Sequence, residues 1–191
     1  MSQVARDLDA IQRPAHPVLL EIEKRASAES VALISRAMGR FLSTMVTAMQ
    51  ANRILEVGSA YGYSTLWMAL AQPPAGRIWT VEPQARNAAV ALEYFRQASE
   101  DDYIEVFTTP AIDLLENFPQ RNLDIVFVMA DAARYEDYLA LVVPMLKLSG
   151  LAIFNDCLRN ERFTQRFLAH PSLDATILPT EGGVAFGARR R

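Results

Sequence analysis

The sequence is poor in cysteine, histidine and lysine. Its 191 residues include a single cysteine, Cys157, so no internal disulfide can form and a reducing compartment is favoured. No apolar run approaches about 18 residues, so no membrane-spanning helix is predicted. The N-terminal segment MSQVARDLDAIQRP has no apolar core of the secretory type. These absences predict a cytoplasmic protein with no membrane partner.

Lysine is limited to Lys24 and Lys147 beside seventeen arginines, which restricts where a catalytic amine could act. The formal net charge is -3 with acids and bases interspersed, so no nucleic-acid partner is predicted. The arginines at 189–191 are typical of a solvated tail. A hydrophobic share of 51% is sufficient for one compact domain with a substantial core.

Hydrophobic periodicity predicts N-terminal helices followed by alternating strands and helices. The predicted helices are 4–12, 17–26, 29–50, 63–71, 84–98, 110–117, 134–147 and 160–169. The predicted strands are 53–57, 77–81, 103–108, 123–129, 151–155, 174–178 and 183–188. This order predicts an α/β fold: a Rossmann-like seven-stranded, mostly parallel sheet with helices on both faces and a C-terminal antiparallel hairpin. One domain is predicted over 1–191, with N-terminal helices in 1–50 and the sheet core in 51–191.

The most informative segment is RILEVGSAYGYSTLWMAL, which predicts a buried strand, a tight glycine turn and the start of a helix. Gly58 and Gly62 bracket the turn, and Ser59 and Ser64 lie near the free N–H groups of the new helix. The next predicted strand ends in Glu82. This order is typical of a nucleoside site, in which the acid accepts hydrogen bonds from a ribose diol. An ordinary strand-to-helix turn is the purely structural alternative.

The glycine spacing argues against a dinucleotide. A pyrophosphate turn needs G-x-G-x-x-G, whereas this turn reads E-V-G-S-A-Y-G with Ala60 at the middle position. Glu56 directly before the turn would repel a phosphate and suits a ligand with a cationic amino group. S-adenosylmethionine has an amino group, a ribose and no phosphate. An NAD-dependent oxidoreductase stays open as an alternative, although the turn does not supply its pyrophosphate site.

Carboxylates recur at the predicted strand ends. Because ligands of open parallel sheets lie at the carboxyl ends of the strands, residues at these ends are the candidates for function. Four of the five ends carry an acid, which a purely structural sheet would not require. These acids are Glu56, Glu82, Asp131 and Asp156.

Five segments together resemble the class I O-methyltransferases of the catechol and caffeoyl-CoA type (family 3), from about Ser35 to the C-terminus. Residues 78–96 are similar to that family's second motif, an acid followed by a helix rich in alanine. FLSTMVTAMQANRILEVGSAYGYS is similar to that family's helix and its L-E-I-G-t-x-x-G-Y-S signature. DIVFVMADAARY is similar to D-l-v-F-I-D-A-D-K-x-x-Y, LKLSGLAIFNDCL to L-r-x-G-G-l-i-v-x-D-N-v-L, and GVAFGARR to the closing strand. The resemblance implies an S-adenosylmethionine-dependent methyltransferase that acts on a small-molecule acceptor and forms a homodimer.

The resemblance implies a complete set of cofactor-binding positions. Ser59 is added to this set because it lies in the same turn. These positions are Glu56, Gly58, Tyr61, Gly62 and Ser64 in the methionine-side loop, Glu82 at the ribose, Ala111 near the adenine and Asp131 beside the cofactor.

The catalytic positions depart from the family pattern. The family's metal ligands fall on Met129, Asn155 and Asp156, and a thioether is a poor ligand for Mg²⁺ or Ca²⁺. The family lysine that deprotonates the substrate hydroxyl falls on Ala132. The sequence therefore predicts O-methylation of a small molecule without the usual divalent metal.

Three hypotheses follow for the chemistry. In the first, a metal-free methyltransferase uses Asp131 or Asp156 as general base, or its acceptor is nucleophilic by itself. In the second, a rearranged metal site is formed by Asp131, Asn155 and Asp156. In the third, the protein binds S-adenosylmethionine or S-adenosylhomocysteine without catalysis.

Overall fold

Seven strands form one continuous sheet in the computed structural model, which describes residues 11–180 and 182–190. The strands are β1 (Arg53–Val57), β2 (Arg77–Val81), β3 (Ile104–Phe107), β4 (Leu123–Val128), β5 (Leu146–Asn155), β6 (Leu173–Leu178) and β7 (Val184–Arg189). Their spatial order is β3-β2-β1-β4-β5-β7-β6. Neighbours among β1 to β5 pair in parallel, and β7 runs antiparallel to β5 and β6. The predicted sheet with its C-terminal hairpin is confirmed.

Helices cover both faces of the sheet. In the described residues they are α1 (Pro17–Glu29), α2 (Arg36–Met49), α3 (Tyr63–Ala69), α4 (Ala85–Gln97), α5 (Ala111–Asn117), α6 (Tyr135–Val142) and α7 (Glu161–Leu168). Side chains alternate across β1, so Ile54 packs in the core with α1 to α4 and Leu55 in the core with α5 to α7. No described helix is long and apolar enough to cross a membrane.

The single helix predicted over 29–50 is wrong. Helix α1 continues to Glu29 and ends at Ser30, whose φ of 55° is left-handed. Residues 31–35 are neither helix nor strand, and the Ser35 hydroxyl accepts a hydrogen bond from the Met38 N–H at 3.2 Å to cap α2. The apolar spacing continues across this break, but the two serines terminate one helix and begin the next. The helix predicted over 4–12 lies outside the described residues except for its last two positions.

The helix predicted over 134–147 is also too long. Helix α6 ends at Val142, a short 3-10 turn follows, and β5 begins at Leu146, five residues before the predicted strand. Pro144 lies inside that turn and has no N–H with which to continue an α-helix. Leu146 pairs with Leu123 of β4 across a register shift, so the early part of β5 contains a bulge.

The strand order reverses beside β1, which has β2 on one side and β4 on the other. In sheets of this kind the crevice at such a reversal, outside the carboxyl ends of the strands, is where ligands bind. The carboxyl ends of β1, β2 and β4 therefore locate the candidate site.

The opposite, amino edge of the sheet is held by Asp124. One oxygen of this buried carboxylate accepts the N–H groups of Asn52 and Arg53, both at 2.8 Å, and the other contacts the Lys147 ammonium. This cluster joins the starts of β1, β4 and β5. It also places Lys147 at the end of the sheet away from the candidate site.

Replacing Asp124 with Ala should lower the free energy of unfolding by about 1–3 kcal/mol, because two backbone donors lose their buried acceptor. Asp124→Asn is the matched control, since its amide oxygen can still accept both N–H groups. Urea unfolding should show a clearly smaller loss for Asn than for Ala. Equal losses in the two variants would instead assign the effect to the ion pair with Lys147.

Candidate active site

A cavity of 590 Å³ opens at the carboxyl ends of β1, β2 and β4. Strand ends form its floor and the first turn of α5 forms one wall. The irregular segment 32–34 between α1 and α2 also lines it and is called the roof segment. This cavity is called the first cavity below. Its polar lining residues in the described chain include Ser59, Tyr63, Ser64, Glu82, Gln84, Asp113, Asp131, Arg134 and Tyr138.

The glycines of the turn are required by packing within the protein. Gly58 has a φ of 91°, and a Cβ there would overlap the carbonyl oxygen of Met129 after β4. Gly62 has a φ of 78°, and a Cβ there would overlap the ring of Phe95 in α4. Only Gly58 lines the first cavity, so Gly62 shapes the turn without bordering the ligand space. Turn glycines of a nucleoside site are expected to let the ligand approach the backbone, but at Gly62 the glycine is required by contact with Phe95.

Glu56 lies beneath the turn and does not line the first cavity. It is fully buried on the α3 face of β1, where its carboxylate accepts hydrogen bonds from Ser64 at 2.5 Å, Thr80 at 2.7 Å and Thr65. Burial raises the pKa of this carboxyl, and the three hydroxyl donors oppose the rise. The expected contact between Glu56 and a cofactor amino group is therefore corrected: strand alternation turns the side chain inward.

Two tyrosines of the turn bind helix α1. Tyr61 is buried and donates its hydroxyl to Glu29 at 2.7 Å, and Tyr63 donates to Glu23 at 2.5 Å. The bond to Glu29 raises the pKa of Tyr61 and lowers that of Glu29. Tyr61 consequently points away from the first cavity, whereas Tyr63 borders it. These contacts fix the end of α1, from which the roof segment begins.

Glu82 is held in the wall of the first cavity by backbone donors. It is 5% exposed, and its carboxylate accepts the Ala60 N–H at 2.8 Å and the Gln84 N–H at 3.0 Å. Ser59 is also in this wall, and its buried hydroxyl oxygen has no partner among the described residues. An oriented acid and an unpartnered hydroxyl fit the polar groups of a nucleoside with an amino-acid side chain. Ser64 lines the cavity too, although its hydroxyl donates to Glu56.

The other predicted cofactor residues border the far end of the first cavity. Ala111 is the first residue of α5, and Asp131 follows β4. The Asp131 carboxylate accepts the Ala133 N–H at 3.0 Å and begins a short 3-10 turn. Both residues line the first cavity, and their contacts with a cofactor stay predictions.

A second cavity of 500 Å³ adjoins the first. Leu33, Ile34 and Met129 line both, so these three apolar side chains mark the junction. Neither the roof segment nor a second cavity was predicted from the sequence, although the serines at 30 and 35 were a signal for the break that forms the roof. The remaining described residues of the second cavity are Ser35, Ala37, Met38, Phe41, Asn155, Asp156, Arg159, Leu178, Thr180, Gly182 and Val184.

Comparisons with known proteins identify the family of this chain. A sequence model described as O-methyltransferase matches residues 10–167. A catechol O-methyltransferase of Mycobacterium tuberculosis is 30% identical over 164 residues, which are 78% of this chain and 74% of that protein. The chain belongs to the O-methyltransferase family. A caffeoyl-CoA O-methyltransferase of Populus kitakamiensis is 32% identical over 124 residues, 63% of this chain and 53% of that protein.

A solved structure supports the same family assignment. The O-methyltransferase from Bacillus cereus in complex with SAH superposes with a TM-score of 0.90 at 25% identity, covering 99% of this chain and 98% of that one. The family resemblance stated from the sequence is confirmed, and so is its consequence: this O-methyltransferase is an S-adenosylmethionine-dependent enzyme. The alternative of an NAD-dependent oxidoreductase is wrong.

The oxygen ligands considered for a metal are divided between the cavities of this O-methyltransferase. Asp131 lines the first cavity, Asn155 and Asp156 line the second, and the Met129 thioether lies at the junction. Asp156 has a left-handed φ of 54° and pairs with Arg159 at 3.4 Å. Over residues 11–180 and 182–190, no three His, Cys, Asp or Glu side chains are grouped as metal ligands would be. This donor set does not fit Mg²⁺ or Ca²⁺.

Three residues whose side chains could carry chemistry, Cys157, His170 and Tyr135, line neither cavity. Cys157 is buried, and burial raises the pKa of its thiol, which makes it a packing residue. Burial lowers the pKa of His170, because it disfavours the charged imidazolium. Tyr135 donates its hydroxyl to the Asn155 carbonyl at 2.7 Å and so positions the end of β5.

The raised pKa of Glu56 predicts a pH-dependent stability. The folded carboxyl keeps its proton at pH values above about 4.3, the pKa of an unfolded glutamate. The native state then binds more protons than the unfolded state, so stability falls as the pH rises above that value. A Glu56→Gln variant cannot ionise there. The unfolding free energy of wild type minus that of the variant should therefore decrease from about pH 4 toward neutrality.

Urea unfolding at a series of pH values measures this difference. Glu105→Gln is the control, since that glutamate is exposed on the edge strand β3 and exposed substitutions change stability by only about 0.5 kcal/mol. A difference for Glu56→Gln that stays constant or increases with pH would contradict the assignment of a buried, proton-retaining carboxyl.

Proposed function

We propose that this O-methyltransferase acts on an oxygen of a small-molecule acceptor without a divalent metal. The observation that carries the proposal is the Met129 side chain at the junction of the two cavities. A thioether is a soft donor that does not replace the oxygen ligands of Mg²⁺, and the nearby acids lie in separate cavities.

A single domain over 1–191, a homodimer and a cytoplasmic location remain predictions.

The first cavity is proposed to hold S-adenosylmethionine. Glu82 would accept the ribose diol, because backbone N–H groups already orient its carboxylate. The unpartnered Ser59 hydroxyl would bind the amino-acid part of the cofactor. Ala111 would border the adenine, and Asp131 would lie beside the cofactor. Glu56, Tyr61 and Gly62 would act indirectly, by holding the turn in which Gly58 and Ser64 line the cavity.

The second cavity is proposed to hold the acceptor. When bound, the cofactor supplies an electrophilic methyl group on a sulfonium sulfur. The apolar junction of Leu33, Ile34 and Met129 excludes water from the space between the two cavities and aligns an acceptor for in-line attack. Asp156 is the candidate general base, because it is the described carboxylate that lines the acceptor side. Asp131 is the candidate on the cofactor side.

A cofactor-binding protein without catalysis is the second candidate. The observation that favours it is the pair of substitutions at Met129 and Ala132, which together remove a metal ligand and the base that the family resemblance implies. Both candidates bind S-adenosylhomocysteine. They differ in catalysis, because the second candidate methylates no acceptor.

Replacing Glu82 with Ala should weaken S-adenosylhomocysteine binding by at least about 1–3 kcal/mol, since a ribose hydroxyl pair loses its acceptor. Calorimetric titration measures the change. Glu82→Gln retains one carbonyl oxygen for the backbone donors and should give an intermediate loss. Glu105→Ala, on the exposed edge of the sheet, should bind as wild type does. Unchanged affinity in a folded Glu82→Ala variant would show that the cofactor lies elsewhere.

Titration of Mg²⁺ or Mn²⁺ into protein saturated with S-adenosylhomocysteine should show no stoichiometric binding, because the oxygen donors are divided between two cavities. Met129→Leu is the matched variant, and it should behave identically. Saturable binding of one ion by the wild type, lost in Asp156→Asn, would establish a rearranged metal site and contradict the metal-free proposal.

A further inference from the structure

The two cavities contain few groups that could deprotonate an acceptor. Among the described lining residues there is no lysine, histidine or cysteine. Tyr63 and Tyr138 border the first cavity, and burial raises the pKa of both, so they stay neutral. The bases that remain are carboxylates. Those in the described lining are Glu82, Asp113 and Asp131 in the first cavity and Asp156 in the second.

A carboxylate is a poor base for an ordinary alcohol or phenol. A phenol has a pKa of about 10, roughly six units above an aspartate, so proton transfer to a carboxylate is strongly uphill. In the second cavity Asp156 also pairs with Arg159 at 3.4 Å, which engages part of its charge. General-base catalysis by this site is effective only for acceptors of high acidity.

A sulfonium in the first cavity and an apolar junction beside it favour an anionic acceptor. Arg159 is the cation that lines the second cavity in the part of the chain described, and Leu33, Ile34 and Met129 make the junction apolar. Attack of an anion on a sulfonium cancels two opposite charges, and a medium of low polarity strengthens their attraction. A neutral acceptor would gain nothing from this pairing.

We propose that the second cavity takes an acceptor that is already ionised: a compact apolar body with an acidic hydroxyl or carboxyl group. This inference rests on the proposed function of the first cavity. The acceptor loses its proton to solvent before it binds. The anionic oxygen then forms the new O–C bond while the C–S bond breaks, and the electron pair of that bond stays on sulfur. The products are a methyl ether or methyl ester and S-adenosylhomocysteine.

Three probes of similar size test the proposal on protein saturated with S-adenosylhomocysteine. They are 4-nitrophenol, which ionises near neutral pH, 4-methylphenol, which stays neutral there, and benzoate, which separates carboxylate from phenolate acceptors. In calorimetric titrations we expect an ionised probe to bind at least about tenfold more tightly than 4-methylphenol. With labelled S-adenosylmethionine, methylation of 4-nitrophenol should increase as pH rises through its own ionisation, whereas methylation of benzoate should not.

The described titratable groups near the acceptor are Asp156 and Arg159, with Asp131 on the other side of Met129. If the pH midpoint of the methylation rate differs between probes, the titrating group is the acceptor. If all probes share one midpoint, the titrating group belongs to the protein. Arg159→Gln should weaken binding of the ionised probe by about fivefold and leave S-adenosylhomocysteine affinity unchanged. Arg162→Gln is the control, because Arg162 is an exposed arginine that pairs with Glu136 outside the cavities.

The outcomes separate this inference from the proposed function. Failure to bind S-adenosylhomocysteine would overturn the proposed function itself. Two results would overturn only the inference about the acceptor, provided that S-adenosylhomocysteine binds. In one, 4-nitrophenolate and 4-methylphenol bind with equal affinity, and in the other no ionised probe binds. A pH midpoint common to all methylated probes would also contradict it.

Discussion

The buried carboxylate of Glu56 connects the elements on which the cofactor end of the sheet depends. Its oxygens accept hydroxyl groups from α3 and from Thr80 of β2, so β1, β2 and the start of α3 are held together beneath the glycine turn. A buried carboxylate without such donors would be strongly destabilising, which couples the position of α3 to the strand ends. The wall of the first cavity owes its shape to a network beneath the turn, of which Ser64 is the member that lines the cavity.

The roof of the site comes from a different part of the chain. Hydrogen bonds from Tyr61 and Tyr63 to two glutamates of α1 attach this helix to the same turn, and the irregular residues after it line both cavities. The N-terminal helices are therefore part of the site. The strand ends of the sheet form the floor of the site. The glycine turn after β1 connects this floor to α1, and through α1 to the roof segment.

Family membership establishes the class of reaction, whereas residues particular to this chain set its conditions. Met129 lies at the junction of the cavities, Ala132 follows where the resemblance implies a lysine, and the second cavity contains one described carboxylate. In the proposed function, these side chains help to place and shield an acceptor, and the acidity that a metal or an amine would otherwise provide comes from the acceptor itself.

The sequence by itself determined the strand order along the chain, the glycine turn, the acid at the end of β2 and the loss of the metal motif. These features depend on local periodicity, residue type and spacing. It did not determine the direction of Glu56, the reason for Gly62 or the early start of β5, since each depends on residues distant in the chain. Only the tertiary structure decided that Asp131 and Asp156 border different cavities, because the ends of β4 and β5 and the roof segment come from distant parts of the chain and meet around Met129.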